Sequence, residues 1–222
     1  MRNKLLSLCA LLLFALAPNT GGAQLVGPGV SGNSFPFTGT QGGIGTIYQQ
    51  VYAASNFVGA GFLNSVSFFE VGEVTLRSGT YDLFASTTST AVNGLSTSNF
   101  DGNRGANNVL FASMALSGAS PAILTFLGGP FFYDPTAGNL LLDFRISNIG
   151  VSGNGVFKAD NGTAGGVYSR AHNFGLAFEN YGLQTQFNFT PAVAVVPEPA
   201  TFALVGVGLL VVMGIGRRRN LA

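Results

Sequence analysis

The chain has 222 residues, of which 47% are hydrophobic and only 9% are charged, and its formal net charge is +1 at pH 7. Residues 24–195, which lie between two apolar ends, carry five basic and eight acidic side chains, a balance that excludes a nucleic-acid partner bound through a basic patch. With one cysteine and one histidine, the chain lacks the ligands for a disulfide framework or a transition-metal site.

Residues 1–23 follow the order of a signal peptide. Two basic residues precede an apolar run at 5–17, and small residues come next. A positive start, a short apolar stretch and small side chains before the cut are the features that the export machinery recognises. We therefore predict export, with cleavage between Ala23 and Gln24. The only cysteine, Cys9, lies in this leader, so the mature protein contains none.

The middle of the chain, residues 24–195, predicts one all-β domain. It is rich in glycine, serine, threonine and asparagine, and it holds eighteen of the 20 phenylalanines. These residue types suit short strands, tight turns and an aromatic core, whereas the helix formers lysine and glutamate are rare. The expected fold is an antiparallel β-sandwich, similar to a jelly roll.

Alternating apolar and polar residues locate the strands. They are predicted at 46–54, 63–71, 73–77, 79–86, 109–116, 122–127, 140–148, 167–169, 175–178 and 184–190. Segment 24–45 is expected to wrap the domain edge, and 87–108 to form a long polar excursion between strands. Segment 150–166 is glycine-rich and has no clear pattern.

Two candidate ligand sites follow from these patterns. Tyr48 and Tyr52 share one face of a predicted strand, so they form a hypothetical platform for stacking on a sugar; the alternative is that they cover the rim of the core. Asp101 and Asn103 present alternating oxygen ligands of the kind that calcium prefers, although a turn rich in Asp and Asn explains the same residues.

The sequence offers little for catalysis. His172 is expected in a surface loop, and no nucleophile motif marks a serine to accompany it. Asp82 and Asp143 lie in the two most regular strands, where they would be neighbours across the sheet and form a carboxylate pair of the kind that glycosidases use. However, Asp143 shares its strand face with Arg145. We expect no enzymatic activity.

The end of the chain has three consecutive parts. These are the triplet Pro197-Glu198-Pro199, an uncharged apolar run at 200–216, and the basic triplet Arg217-Arg218-Arg219. A helix of that length spans about 25 Å, a little less than the hydrocarbon core of a bilayer. Because three arginines favour the cytoplasmic side, the residues before the run are expected outside the membrane.

This order of motif, short membrane helix and basic end resembles the PEP-CTERM sorting signal of exported bacterial proteins. The resemblance implies a partner, an exosortase-type membrane transpeptidase that cuts near the triplet. It also implies transient anchoring in the inner membrane, followed by release to the cell surface or to an exopolysaccharide matrix. The alternative is a permanent C-terminal anchor in which the triplet is incidental.

Residues 46–190 also resemble a recurrent type of PEP-CTERM ectodomain. The likeness rests on segments 81–88, 94–97, 100–103, 133–143 and 182–187. This type has no activity that can be transferred, so the resemblance leaves the role of the body open. We predict three parts: a leader at 1–23, a β-sandwich at 24–195 and a sorting segment at 196–222. The predicted role is structural or adhesive, without a cofactor; the alternatives are a carbohydrate-binding module and a hydrolase.

Overall fold

The computed structural model describes residues 22–39, 45–174 and 177–192. The leader at 1–21 and the sorting segment with its predicted helix at 200–216 lie outside these ranges, so both stay predictions. Within the described ranges, no helix is long and apolar enough to cross a membrane.

The prediction of an antiparallel all-β fold is confirmed. The described residues form strands and two short 3-10 turns, and every strand pairing among them is antiparallel. The strands are β1 Ala23–Val26, β2 Ser31–Asn33, β3 Ile47–Tyr52, β4 Gly61–Thr88, β5 Val109–Ala119, β6 Ile123–Tyr133, β7 Asn139–Ser147, β8 Asn154–Asn161, β9 Tyr168–His172, β10 Ala177–Phe178, β11 Tyr181–Leu183 and β12 Thr185–Pro191. Short 3-10 turns occupy Ala54–Asn56 and Asp101–Asn103.

The strands form a curled sheet with two facing layers. In the first layer the order is β1-β12-β4-β6. In the second it is β5-β4-β7-β3-β9-β10. β8 pairs with the middle of β4 and with β2 and β11. The outcome is the β-sandwich-like architecture that the sequence predicts.

β4 joins the two layers. Its residues 61–69 pair with β12 and β6, and its residues 75–88 pair with β5 and β7. Between these parts Gly72 has a φ of +76°, which glycine adopts without strain, and the register against β8 shifts there. The prediction of three separate strands is therefore wrong, because the backbone bends at Gly72 while it keeps a strand partner.

The core lies between the layers and consists largely of aromatic rings. Its largest fully buried side chains include Tyr48, Tyr52, Tyr81, Tyr133, Tyr168, Phe37, Phe68, Phe126, Phe144, Phe157 and Phe187. The predicted strand faces are confirmed where alternation is clear. In β7, Leu142 and Phe144 point inward, and in β12 Phe187 does so.

The N-terminal segment contributes to the interior, contrary to the prediction that 24–45 only wraps the edge. β1 extends the first layer beside β12, and β2 pairs with β8. Between them and β3, Phe37 is fully buried. Its ring lies 4.9–5.9 Å, centre to centre, from those of Phe68, Tyr81, Phe126, Phe144 and Phe157. The segment therefore fills the middle of the sandwich.

β8 lies in the stretch that has no clear sequence pattern. A charged residue, Asp160, occupies one of its inward positions and is fully buried. The carboxylate accepts hydrogen bonds from the backbone amides of Gly29 and Val30, at 3.2 and 3.4 Å, and from the Tyr168 hydroxyl. Buried polar groups require such partners. This internal carboxylate interrupts the apolar alternation and conceals the strand.

Residues 89–108, here called the covering segment, connect β4 to β5 across the outer face of the second layer. A small apolar cluster attaches the segment there, with Leu95 and Phe100 packed on Val51, Leu141 and Ala171. The predicted excursion at 87–108 is present, but it begins two residues later because β4 continues to Thr88. Because the segment packs on the sheet, its side chains Asp101 and Arg104 lie beside the charged residues of β7.

Candidate functional site

A cluster of four charged residues lies between the covering segment and the second layer. Asp143 of β7 accepts a hydrogen bond of 2.6 Å from Nε of Arg104 and one of 2.9 Å from Nε of Arg145. Asp101 lies 3.2 Å from Nη1 of Arg104 and 2.9 Å from Nη2 of Arg145. The predicted shared face of Asp143 and Arg145 is thus confirmed, and Arg104 is the partner that spacing alone could not identify.

The same cluster accounts for the two residues predicted to bind calcium. Asp101 faces two guanidinium groups, which repel a cation. Asn103 is buried, and its amide nitrogen donates to Oε1 of Gln49 at 2.7 Å and to the carbonyl of Ser96 at 2.9 Å. Because its Oδ1 accepts from the Ser96 amide, Asn103 is fully occupied. The geometry disfavours calcium ligation at Asp101 and Asn103, because both side chains fasten the covering segment, and calcium binding itself stays a prediction.

The two tyrosines predicted to stack on a sugar lie inside the core. Tyr48 and Tyr52 are 1% and 0% exposed. The Tyr48 hydroxyl donates to Gln50 at 2.5 Å, and that of Tyr52 shares a hydrogen bond of 2.7 Å with Thr185. Burial raises the pKa of Tyr48 to about 12. The prediction of a stacking platform is therefore wrong for this pair, since a sugar cannot reach either ring.

The two carboxylates suggested for a hydrolase, Asp82 and Asp143, lie in different environments. Asp143 is 0% exposed, and its oxygens are engaged by Arg104, Arg145 and Gln49. Asp82 is partly exposed and accepts a hydrogen bond of 2.5 Å from Ser113. A glycosidase pair needs both carboxyl groups to reach one substrate bond. Asp143 does not meet that condition here.

His172 is buried at the end of β9, contrary to the prediction of a surface loop. Its ring stacks on that of Phe174, with centres 3.9 Å apart and planes at 17°. Burial, aided by the nearby Arg170 guanidinium, lowers the pKa of His172 from 6.5 to about 4. Its Nδ1 has no hydrogen-bond partner among the described residues. The imidazole is therefore held neutral.

Because His172 is buried in its neutral form, we expect the free energy of unfolding to fall in acid. The folded-state pKa of this histidine lies below its unfolded value, so its contribution is complete above pH 6.5 and disappears as the pH falls through 4. We expect about 3 kcal/mol of stability to be lost over that interval. Chemical denaturation measured at several pH values tests this. His172→Gln should flatten the curve between pH 6.5 and 4, and an unchanged slope would contradict the assignment.

A cavity of about 380 Å³ opens between β4, β8 and the segments that flank them. Arg77, 3% exposed, is the charged residue in its lining, and the Phe35 and Phe174 rings form an apolar wall. This site was not predicted. A single arginine in a glycine-rich strand carries no recognisable motif, and its neighbours come from four distant parts of the chain. Among the described residues, no group of three or more His, Cys, Asp or Glu side chains forms a metal cluster.

The predicted cleavage site lies at the start of β1. Ala23 is exposed and opposite Asn188 of β12, and Gln24 is opposite Phe187. Cleavage before Gln24 would leave three of the four β1 residues in the sheet. The sorting triplet Pro197-Glu198-Pro199 and the basic triplet Arg217-Arg218-Arg219 lie outside the described residues.

Comparison with known proteins bears on this last part of the chain. The family described as PEP-CTERM protein-sorting motif matches residues 195–220. That range includes the Pro-Glu-Pro triplet, the apolar run and the arginines. No curated protein matches the chain significantly, and no solved structure does so either. The predicted sorting signal is thus confirmed: the chain carries a PEP-CTERM protein-sorting motif, which supports export and implies processing by an exosortase, a membrane enzyme.

Proposed function

We propose that this protein is a structural or adhesive component of the cell surface or of an exopolysaccharide matrix. The observation that carries the proposal is the sorting motif at 195–220, because such a motif directs a protein outward through the membrane. In the proposed route, the apolar run at 200–216, predicted from sequence to be a helix, anchors the chain in the inner membrane with the body outside. Exosortase then cuts near Pro197-Glu198-Pro199 and releases the sandwich.

The physical design of the tail supports this route. Glu198 and Arg217 bracket the apolar run, so the run cannot slide along the bilayer normal without burying a charge. Pro197 and Pro199 fix φ and disfavour helix in the residues before them. The triplet would therefore lie extended at the outer membrane surface, where a membrane-embedded enzyme can bind it.

The body supports an adhesive or structural role through the outer face of its first layer. Apolar side chains are unusually exposed on this face; they are Leu25, Phe62, Ile123, Leu127 and Phe132, each 41–76% accessible. The Phe62 and Phe132 rings form a pair with centres 5.2 Å apart. Apolar groups gathered on one face are typical of surfaces that contact other molecules.

Sorting is tested with a variant in which Pro197, Glu198 and Pro199 are all replaced by alanine. In the native host, the wild type should be found outside the inner membrane. The variant should stay anchored in that membrane and keep its intact tail. A matched control, Val193→Ser with Ala194→Ser, alters the adjacent linker and should behave as the wild type. Equal distribution of the triplet variant and the wild type would refute the proposed route.

A further inference from the structure

We infer that the cavity around Arg77 binds a small carboxylate with a compact, partly apolar body, such as a uronic acid unit of an acidic polysaccharide. The inference concerns the sandwich alone and stands whether or not the tail is processed. A volume of about 380 Å³ lies at the small end of the range for ligand cavities, roughly 300–1,000 Å³. A single sugar unit is of suitable size.

The first argument is a buried cation without a counter-ion. Nη2 of Arg77 donates to the Gly45 carbonyl at 2.7 Å, whereas Nε has no hydrogen-bond partner among the described residues. The described residues include every acidic side chain of the protein except Glu198. Their salt bridges involve Arg104 and Arg145 alone. Burying a charge without a partner is costly, so an anion in the cavity would supply the missing counter-ion of Arg77.

The second argument is the shape and chemistry of the wall. The Phe35 and Phe174 rings meet edge to face, with centres 4.8 Å apart and planes at 83°. The Arg77 guanidinium lies 5.5 Å from the centre of the Phe35 ring. A charged group beside aromatic surface suits a ligand that carries a carboxylate at one end and C–H groups along one face.

Polar groups complete the lining. Ser34 and Asn154 contribute a hydroxyl and an amide, both suited to sugar hydroxyl groups. Gly45 is required by the wall, because a Cβ there would lie 2.3 Å from the Phe35 ring. Arginine binds carboxylate in a fork geometry, which favours this anion over a halide or other spherical ion.

Isothermal titration calorimetry on the full-length protein in detergent micelles tests the inference. The probes are glucuronate, its neutral counterpart glucose, and N-acetylglycine as a peptide-type carboxylate. Glucuronate binding without glucose binding identifies a sugar acid. Binding of N-acetylglycine alone identifies a peptide-type carboxylate as the source of the same chemistry. Equal binding of glucose and glucuronate, or no binding of either carboxylate at millimolar concentration, would overturn the inference.

Arg77→Met should weaken carboxylate binding by about 10- to 100-fold, the worth of a charge-assisted contact. The thermal stability of the ligand-free variant should be unchanged or higher, because an uncompensated charge is removed; a merely structural arginine would give a destabilised protein. The control Lys158→Met removes an exposed positive charge and should leave affinity unchanged. An Arg77→Met variant that binds as the wild type would refute the site.

If Arg77→Met does not fold, a second variant tests whether the ligand binds in this cavity. Phe174 is 40% exposed, so its replacement by alanine is tolerated more readily than a change in the core. It removes one wall of the cavity and should weaken binding by about tenfold. Unchanged affinity in a folded Phe174→Ala variant would mean that the ligand lies elsewhere.

Discussion

Asp143→Ala is expected to destabilise the protein by about 3–5 kcal/mol, because it removes the buried anion shared by two guanidinium groups and leaves them only the exposed Asp101 as a partner. Asp143 is 0% exposed and is the one member of the charged cluster that contacts both Arg104 and Arg145 from within the second layer. Its Oδ2 also accepts from the Gln49 amide at 3.0 Å. For a chain of this length, the loss corresponds to a fall of about 10 °C in melting temperature.

Thermal unfolding followed by circular dichroism measures this effect. Asp82→Ala is the matched control, because Asp82 lies on the same sheet face in β4 but is partly exposed and bonded to Ser113 alone. Asp82→Ala should lower the free energy of unfolding by less than about 1.5 kcal/mol. Limited proteolysis adds a local readout, since Asp143→Ala should expose the covering segment to cleavage. Similar melting temperatures for the two variants would contradict the role assigned to the cluster.

Phe37→Ala is the second change with a large expected effect, about 3–5 kcal/mol of lost stability. The ring is 0% exposed and lies among five other aromatic rings from both layers. Removing it leaves a cavity that these rings cannot close, since they are held by four different strands and by each other.

Phe62→Ala is the control for Phe37→Ala, because it deletes the same side chain from the solvent-facing surface of β4. Phe62 is 41% exposed and pairs with Phe132 only. Its replacement should cost about 1 kcal/mol or less. Urea denaturation of the two variants should differ mainly in the midpoint. If Phe37→Ala unfolds at the same urea concentration as Phe62→Ala, the segment before β3 is not part of the core.

Local alternation was sufficient to predict the strands whose two faces differ in polarity. β7 shows this, because Leu142 and Phe144 are buried while Asp143 and Arg145 meet on the opposite face. The end of the chain could be assigned for a related reason: its charge, proline and apolar run are contiguous, so no tertiary contact is needed to interpret them.

The residues that sequence reasoning misplaced all depend on contacts with distant segments. Nothing local shows that the covering segment returns to the sheet, so no pattern predicts its contacts with Gln49 and Asp143. Tyr48 and His172 carry polar atoms, which are compatible with exposure, yet both side chains are buried by distant parts of the chain. The other residues that line the Arg77 cavity all lie more than 30 positions from Arg77 along the chain, so no spacing could indicate the cavity.

The central claim, that the tail is a signal removed after export, is tested most directly by the intact mass of the wild-type protein isolated from its native host. We expect a chain that begins at Gln24, ends near Pro197 and is recovered outside the inner membrane. A membrane-bound chain that retains residues 200–216 and Arg217, Arg218 and Arg219 would contradict the account and make the tail a permanent anchor.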